Sequence, residues 1–126
     1  MKASYTMANS PLRHNWITAI ASVGRDWFVG TYGAGVYKLD GDGTWHAFPD
    51  MPPGVEVNPN AMVSSGSRVY VGTLGRGLML YDSARGRWST LASGLPSMNV
   101  TALSVESGYL YIGTDNGLVR VKEAAL

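Results

Sequence analysis

Apolar residues along this chain come in short bursts. Runs of a few residues rich in Val, Ile, Leu, Tyr and Trp alternate with clusters of Gly, Pro, Asp, Asn and Ser. That pattern predicts many short strands joined by tight turns. No stretch of useful length shows helical periodicity. The bursts also repeat. An aromatic-aliphatic-Gly-Thr quartet occurs as Phe28-Val29-Gly30-Thr31, Tyr70-Val71-Gly72-Thr73 and Tyr111-Ile112-Gly113-Thr114, with its threonines 42 and then 41 residues apart. Twelve residues before each threonine stands Ala19, Ala61 or Ala102, and shortly after it Gly35, Gly77 or Gly117 opens an apolar run.

Each unit predicts four strands. The first carries the alanine (17–21, 61–64, 100–105), the second ends in Gly-Thr (26–31, 68–73, 109–114), and the third follows the glycine (36–40, 78–82, 118–122). The fourth centres on Trp45 or Trp88 (44–48, 87–91). A period near 42 with four short strands predicts an all-β fold of propeller blades. The third unit ends before its own fourth strand. Residues 4–7, around Tyr5, read as a fourth strand without the three that should precede it. The expected organisation is therefore one half-propeller over 1–126. Residues 1–13 supply a fourth strand to the third-type blade of a partner, 14–50 form blade 1, 51–92 blade 2, and 93–126 blade 3 without its last strand. Three blades leave two faces open, and two chains give a six-bladed ring. A homodimer with exchanged N-terminal strands is the expected assembly. Gly72 is expected at a strand-end turn.

Composition adds mainly exclusions. The chain is 45% hydrophobic and 15% charged, with a net charge of +1, so it offers no broad attraction for nucleic acid or an anionic membrane. There is no cysteine, hence no disulfide, thiolate metal site or cysteine nucleophile. No apolar run approaches the roughly 18 residues of a membrane span, and residues 1–11 lack the apolar centre of a signal peptide. The chain reads as a soluble piece of undefined compartment.

Candidate chemistry is sparse. Gly30-Thr31-Tyr32-Gly33-Ala34-Gly35 is glycine-rich but lacks the Lys-Ser/Thr and following helix of a phosphate loop. Asp40-Gly41-Asp42-Gly43 lacks the later acidic ligand of a calcium loop and reads as a hairpin turn. His14 and His46 stand 32 residues apart with no carboxylate cluster, so no metal or cofactor is expected. Trp45 and Trp88 read as outer-strand packing. Trp16 and Trp27, aligned with Asn58/Asn99 and Val69/Leu110, are not required by the repeat. The loops entering the first strands and joining second to third strands share one face. They carry His14, Asn15, Trp16, Tyr32, Asn58, Arg76, Asn99, Asp115 and Asn116, the candidate ligand-binding residues at the channel mouth.

Gly94-Leu95-Pro96-Ser97-Met98-Asn99-Val100-Thr101-Ala102-Leu103, with Leu110-Tyr111-Ile112-Gly113-Thr114-Asp115-Asn116-Gly117-Leu118, resembles the two-component regulator propeller repeat. The third unit matches nearly throughout. The others depart from it, with Met51-Pro52-Pro53-Gly54 and Ser10-Pro11-Leu12 in place of Gly-Leu-Pro. The resemblance implies a propeller and an extracytoplasmic, periplasmic setting in bacteria. The chain shows no kinase or output domain, so the family's sensory role is not implied.

The expected function is a non-enzymatic scaffold, or a module binding a small molecule or a protein partner, assembled from half-propellers. One alternative is a carbohydrate-binding oligomeric propeller stacking sugars on Trp16, Trp27 and Tyr32. Another is an engineered or excised fragment without an evolved ligand. An enzyme using His14 is weakest, because no acid–base pair or metal set accompanies that histidine.

Overall fold

The computed structural model describes residues 3–126, and the fold is all-β. Eleven strands form three antiparallel sheets among the described residues. The first contains β1 (Ile17–Val23), β2 (Asp26–Thr31), β3 (Val36–Leu39) and β4 (Trp45–His46) in that order. The second contains β5 (Val57–Ser65), β6 (Arg68–Thr73), β7 (Leu78–Asp82) and β8 (Arg87–Leu91). The third has only β9 (Val100–Glu106), β10 (Tyr109–Thr114) and β11 (Gly117–Lys122), followed by a single 3₁₀ turn at Glu123–Ala125.

Alternation within each strand sends successive side chains to opposite faces. Ala19, Phe28 and Val36 of the first sheet pack on Val57, Met62, Val69, Val71, Met79 and Tyr81 of the second. Tyr70 and Leu78, on the opposite face of the second sheet, pack on Val100, Leu110 and Ile112 of the third. The core is thus two apolar seams between consecutive sheets, with β1, β5 and β9 side by side. At the rim of the first seam, Phe28, Phe48, Tyr81 and Trp88 form an aromatic cluster. Trp88 and Trp45 are half-buried.

The three threonines of the repeat each close the same turn. The Oγ1 hydroxyls of Thr31, Thr73 and Thr114 donate to the carbonyls of Gly35, Gly77 and Gly117 at 2.7–2.8 Å. The same oxygens accept the backbone N–H of Ala34, Arg76 and Asn116. One short side chain therefore satisfies a donor and an acceptor of its turn, and of the three Thr31 and Thr73 are fully buried.

Several sequence expectations need correction. Residues 4–7 form no strand. Thr6 and Asn9 instead close a small turn, with Thr6 N–H on Asn9 Oδ1 and Asn9 N–H on the Thr6 carbonyl. The first two positions of the expected exchanged segment lie outside the described residues. The fourth strand of the first sheet is only two residues long, and β3 ends at Leu39. β5 starts four residues before the predicted one, because two extra residues bulge out of its ladder. Val57 pairs with Thr73 and Met62 with Val71, whereas in β1 Ile17 pairs with Thr31 and Ala19 with Gly30. Asn60 takes the left-handed conformation (φ 59°) that the bulge demands. Gly72 is not a positive-φ turn residue but sits inside β6. Glycine is required there because a Cβ would lie 2.7 Å from the Val100 carbonyl and 2.9 Å from the Ala61 Cβ.

Candidate functional site

The bulge re-registers the repeat at the end where the candidate residues lie. Tyr32 N–H bonds the Trp16 carbonyl, Leu74 N–H the Glu56 carbonyl, and Asp115 N–H the Asn99 carbonyl. Trp16 is therefore equivalent to Glu56 and Asn99. Asn58, with which the sequence alignment paired it, sits inside the bulge. All nine candidate residues lie at one end of the sheets, but the structure gathers them into two groups.

The first group belongs to the first sheet. Trp16 is 55% exposed and packs on Tyr32, ring centroids 4.8 Å apart. Trp16 N–H donates to His14 Nδ1 at 3.0 Å, so that nitrogen is engaged by the backbone. Asn15 Oδ1 accepts Met7 N–H at 2.8 Å and ties down the N-terminal segment. The backbone of Tyr32 forms a single antiparallel bridge with that of Glu56, which ties this end of the first sheet to the second.

The second group is a polar chain along the second and third sheets. Asn58 Nδ2 donates to Asn99 Oδ1 (2.8 Å) and the Val100 carbonyl (2.6 Å), and Asn99 Nδ2 reaches Asp115 Oδ2 (3.3 Å). Hydrogen bonds from Ser97 and then Asn99 hold the Asp115 carboxyl below its ordinary value. These contacts satisfy the side chains locally. Arg76 donates to the Pro53 carbonyl and Asn116 to the Pro96 carbonyl, so both brace neighbouring loops. Among the described residues, no three His, Cys, Asp or Glu side chains are grouped to hold a metal ion.

The sequence reading missed an apolar groove on the first sheet. On the face of the first sheet turned away from the second, Ile20, Trp27, Val29, Leu39 and Trp45 share the surface rows set by their pairing. With Tyr5 and Leu12 they line a groove of about 340 Å³. Trp27 lies here, away from the Trp16–Tyr32 end, and so does not join a sugar platform with them. On the outward face of the third sheet, Ala102, Gly113 and Leu118 form one row and Ser104, Tyr111 and Arg120 the next. Arg120 lies over the Tyr109 ring at 4.3 Å.

No family model matches the chain, and no curated protein matches it. Among solved structures it is similar to PorZ, an essential bacterial surface component of the type-IX secretion system of Porphyromonas gingivalis, with a TM-score of 0.72 and 21% identity. That match covers 88% of this chain and 18% of PorZ, so the chain spans less than a fifth of that protein. At this identity the likeness concerns the fold. The chain is also similar to the computationally designed Ika4 protein, with a TM-score of 0.49 and 17% identity, over 84% of this chain and 90% of that one.

Proposed function

We propose that the three sheets are β-propeller blades, and that two copies close head-to-tail into a six-bladed ring serving as a non-enzymatic binding scaffold. Equivalent positions support this by their burial. Val57 and Val100 are 0% exposed, and their counterpart Ile17 is 39% exposed. Val69 and Leu110 are 0% exposed, against 45% for Trp27. Val36 and Leu78 are at most 1% exposed, against 66% for Leu118. The apolar residues at both ends of the row are those an adjoining blade covers everywhere else. Each open face also complements the other, since each repeats one half of the internal seams.

Full burial of a large aliphatic or aromatic side chain contributes about 1.5–3 kcal/mol. Covering the exposed parts of Ile17, Ile20, Trp27 and Leu118 contributes roughly 3–6 kcal/mol per seam on that scale. A two-chain ring has two such seams against one association cost, which favours closure over a single contact. The likeness of Gly94–Leu118 to two-component regulator propeller repeats supports the blade assignment and an extracytoplasmic setting. Ligands are proposed to bind at the loop end, because it carries side chains that vary from blade to blade on an unvarying frame. The exposed indole of Trp16, backed by Tyr32, favours a sugar as one such ligand, because the apolar face of a pyranose stacks on an indole.

A charge on an open face tests the ring. Trp27 is 45% exposed, whereas its counterparts Val69 and Leu110 are fully covered by a neighbouring sheet. Trp27→Glu should leave the folded chain monomeric in sedimentation at concentrations where the parent pairs. A Trp27→Glu chain that forms the two-chain species as readily as the parent would refute the ring.

A further inference from the structure

We infer that a notch at the outer edge of the first sheet binds the free carboxyl end of an extended peptide whose last side chain is apolar. The second sheet shows what the first lacks there. Its outer strand β8 runs on to Leu91, which pairs with Leu78. Val36 stands where Leu78 does, since each pairs with the glycine of its Gly-Thr motif. β4 stops at His46, and no residue pairs with Val36 on that side.

Register fixes which way the Val36 backbone points. Thr31 N–H bonds the Gly35 carbonyl, and Asp40 N–H bonds the Thr44 carbonyl. Bonded and non-bonded positions alternate along an antiparallel strand. Tyr37 and Leu39 therefore turn N–H and C=O toward β2, and Val36 and Lys38 turn theirs outward. Lys38 meets His46 there. Val36 has no backbone partner there among the described residues, although it is only 1% exposed. A buried main-chain donor and acceptor are seldom left unpaired, and side by side they match the amide of an added extended segment.

The course of the chain after β4 makes the room. Phe48 turns into the seam against Tyr81 and Trp88, with ring centroids 4.9 and 5.4 Å away. Met51 N–H bonds the Phe48 carbonyl, and Pro52 and Pro53 have no N–H to offer Val36. The notch has a volume of about 320 Å³, and Val36, Phe48, Met51, Pro52 and Arg13 are among its lining residues. That size suits a small ligand or the tip of a peptide. Arg13 supplies the charge. It makes no ion pair among the described residues, and its guanidinium donates only to the Pro11 carbonyl, at 3.4 Å. Arginine takes a carboxylate through two parallel hydrogen bonds. The last residue of a peptide offers that carboxylate, an amide for Val36, and a side chain for Phe48 and Met51. An internal peptide segment would leave Arg13 unmatched. All of these groups belong to one chain, so the site does not depend on the ring.

Titration of the full chain, with its backbone amides followed by NMR, tests this. The probe is acetyl-alanyl-leucine, and its C-terminal amide is the control. The free acid should shift the Val36 amide and slow its hydrogen exchange, and the amide should bind about tenfold or more weakly. Arg13→Gln should weaken binding of the acid by the same factor without moving the melting temperature, because Arg13 is exposed in the free chain. Three results would each overturn the assignment: equal affinity for acid and amide, an Arg13→Gln chain that binds like the parent, or a Val36 amide unmoved by the acid at ~10 mM.

Discussion

Gly113→Ala separates folding from assembly. Gly30 and Gly72 stand at the same point of their sheets, and each faces the inner strand of the next. A Cβ on Gly30 would lie 2.8 Å from Val57 Cγ1, and one on Gly72 would lie 2.7 Å from the Val100 carbonyl. Carbon contacts are optimal near 3.5–4.0 Å, so a methyl group there overlaps its neighbour by most of an ångström. Overpacking of this kind costs about 1–3 kcal/mol. On Gly113 the nearest atom is the Ala102 Cβ at 3.2 Å, within its own sheet, and no following strand opposes it. That neighbour needs to yield only a few tenths of an ångström. Replacing a flexible glycine within a strand also recovers about 0.5–1 kcal/mol. The variant should therefore fold about as stably as the parent at low concentration. In the ring, Gly113 faces Ile17 of the second copy at both seams, for a total near 2–6 kcal/mol. The dimer dissociation constant should rise by roughly 30-fold to 10⁴-fold. Gly72→Ala should instead destabilise the fold by about 1–3 kcal/mol, or roughly 3–15 °C in melting temperature, at any concentration. Sedimentation equilibrium reads the first effect and dilute urea denaturation the second. A Gly113→Ala chain that dimerises like the parent would show that Gly113 faces no seam.

Thr73→Val keeps the shape of a fully buried side chain but removes a donor to the Gly77 carbonyl and an acceptor for Arg76 N–H. It should cost about 2–4 kcal/mol in urea denaturation, and clearly more than Thr114→Val, whose turn is exposed. The Asp40 carboxyl is held below its ordinary value of 3.8 first by its 2.6 Å hydrogen bond with His46, with Lys38 adding attraction. A lowered carboxylate pKa contributes stability above the unfolded value and loses it as pH falls through the folded one. His46→Ala should therefore move the Asp40 titration upward by NMR, and an unmoved titration would count against that pairing. Trp16→Ala should abolish any glycan-array signal while leaving dimerisation intact; a retained signal would place sugar binding elsewhere.

The all-β character and the positions of the strands were legible because turn glycines and apolar bursts are local signals. The Gly-Thr landmark was legible for the same reason, since each threonine closes its own turn within four residues. Gly72 was misread because its need for glycine comes from Val100, 28 positions along the chain and in another sheet. The alignment of Trp16 with Asn58 failed because the β5 bulge adds two residues without changing the apparent spacing of the alanines and threonines. Trp27 looked like surplus aromatic surface in the sequence. Only the stacking of sheets shows that its counterparts Val69 and Leu110 are wholly buried by a neighbour that Trp27 lacks. Residues 4–7 carry the spacing of a strand, but a strand needs an edge to join, and the single chain places none beside them.

The mass of the chain in solution, by multi-angle light scattering across the micromolar range, tests the two-copy ring most directly. Two chains of 13.5 kDa each are predicted, with dissociation only on dilution. A folded species that stays at 13.5 kDa at every concentration would contradict it.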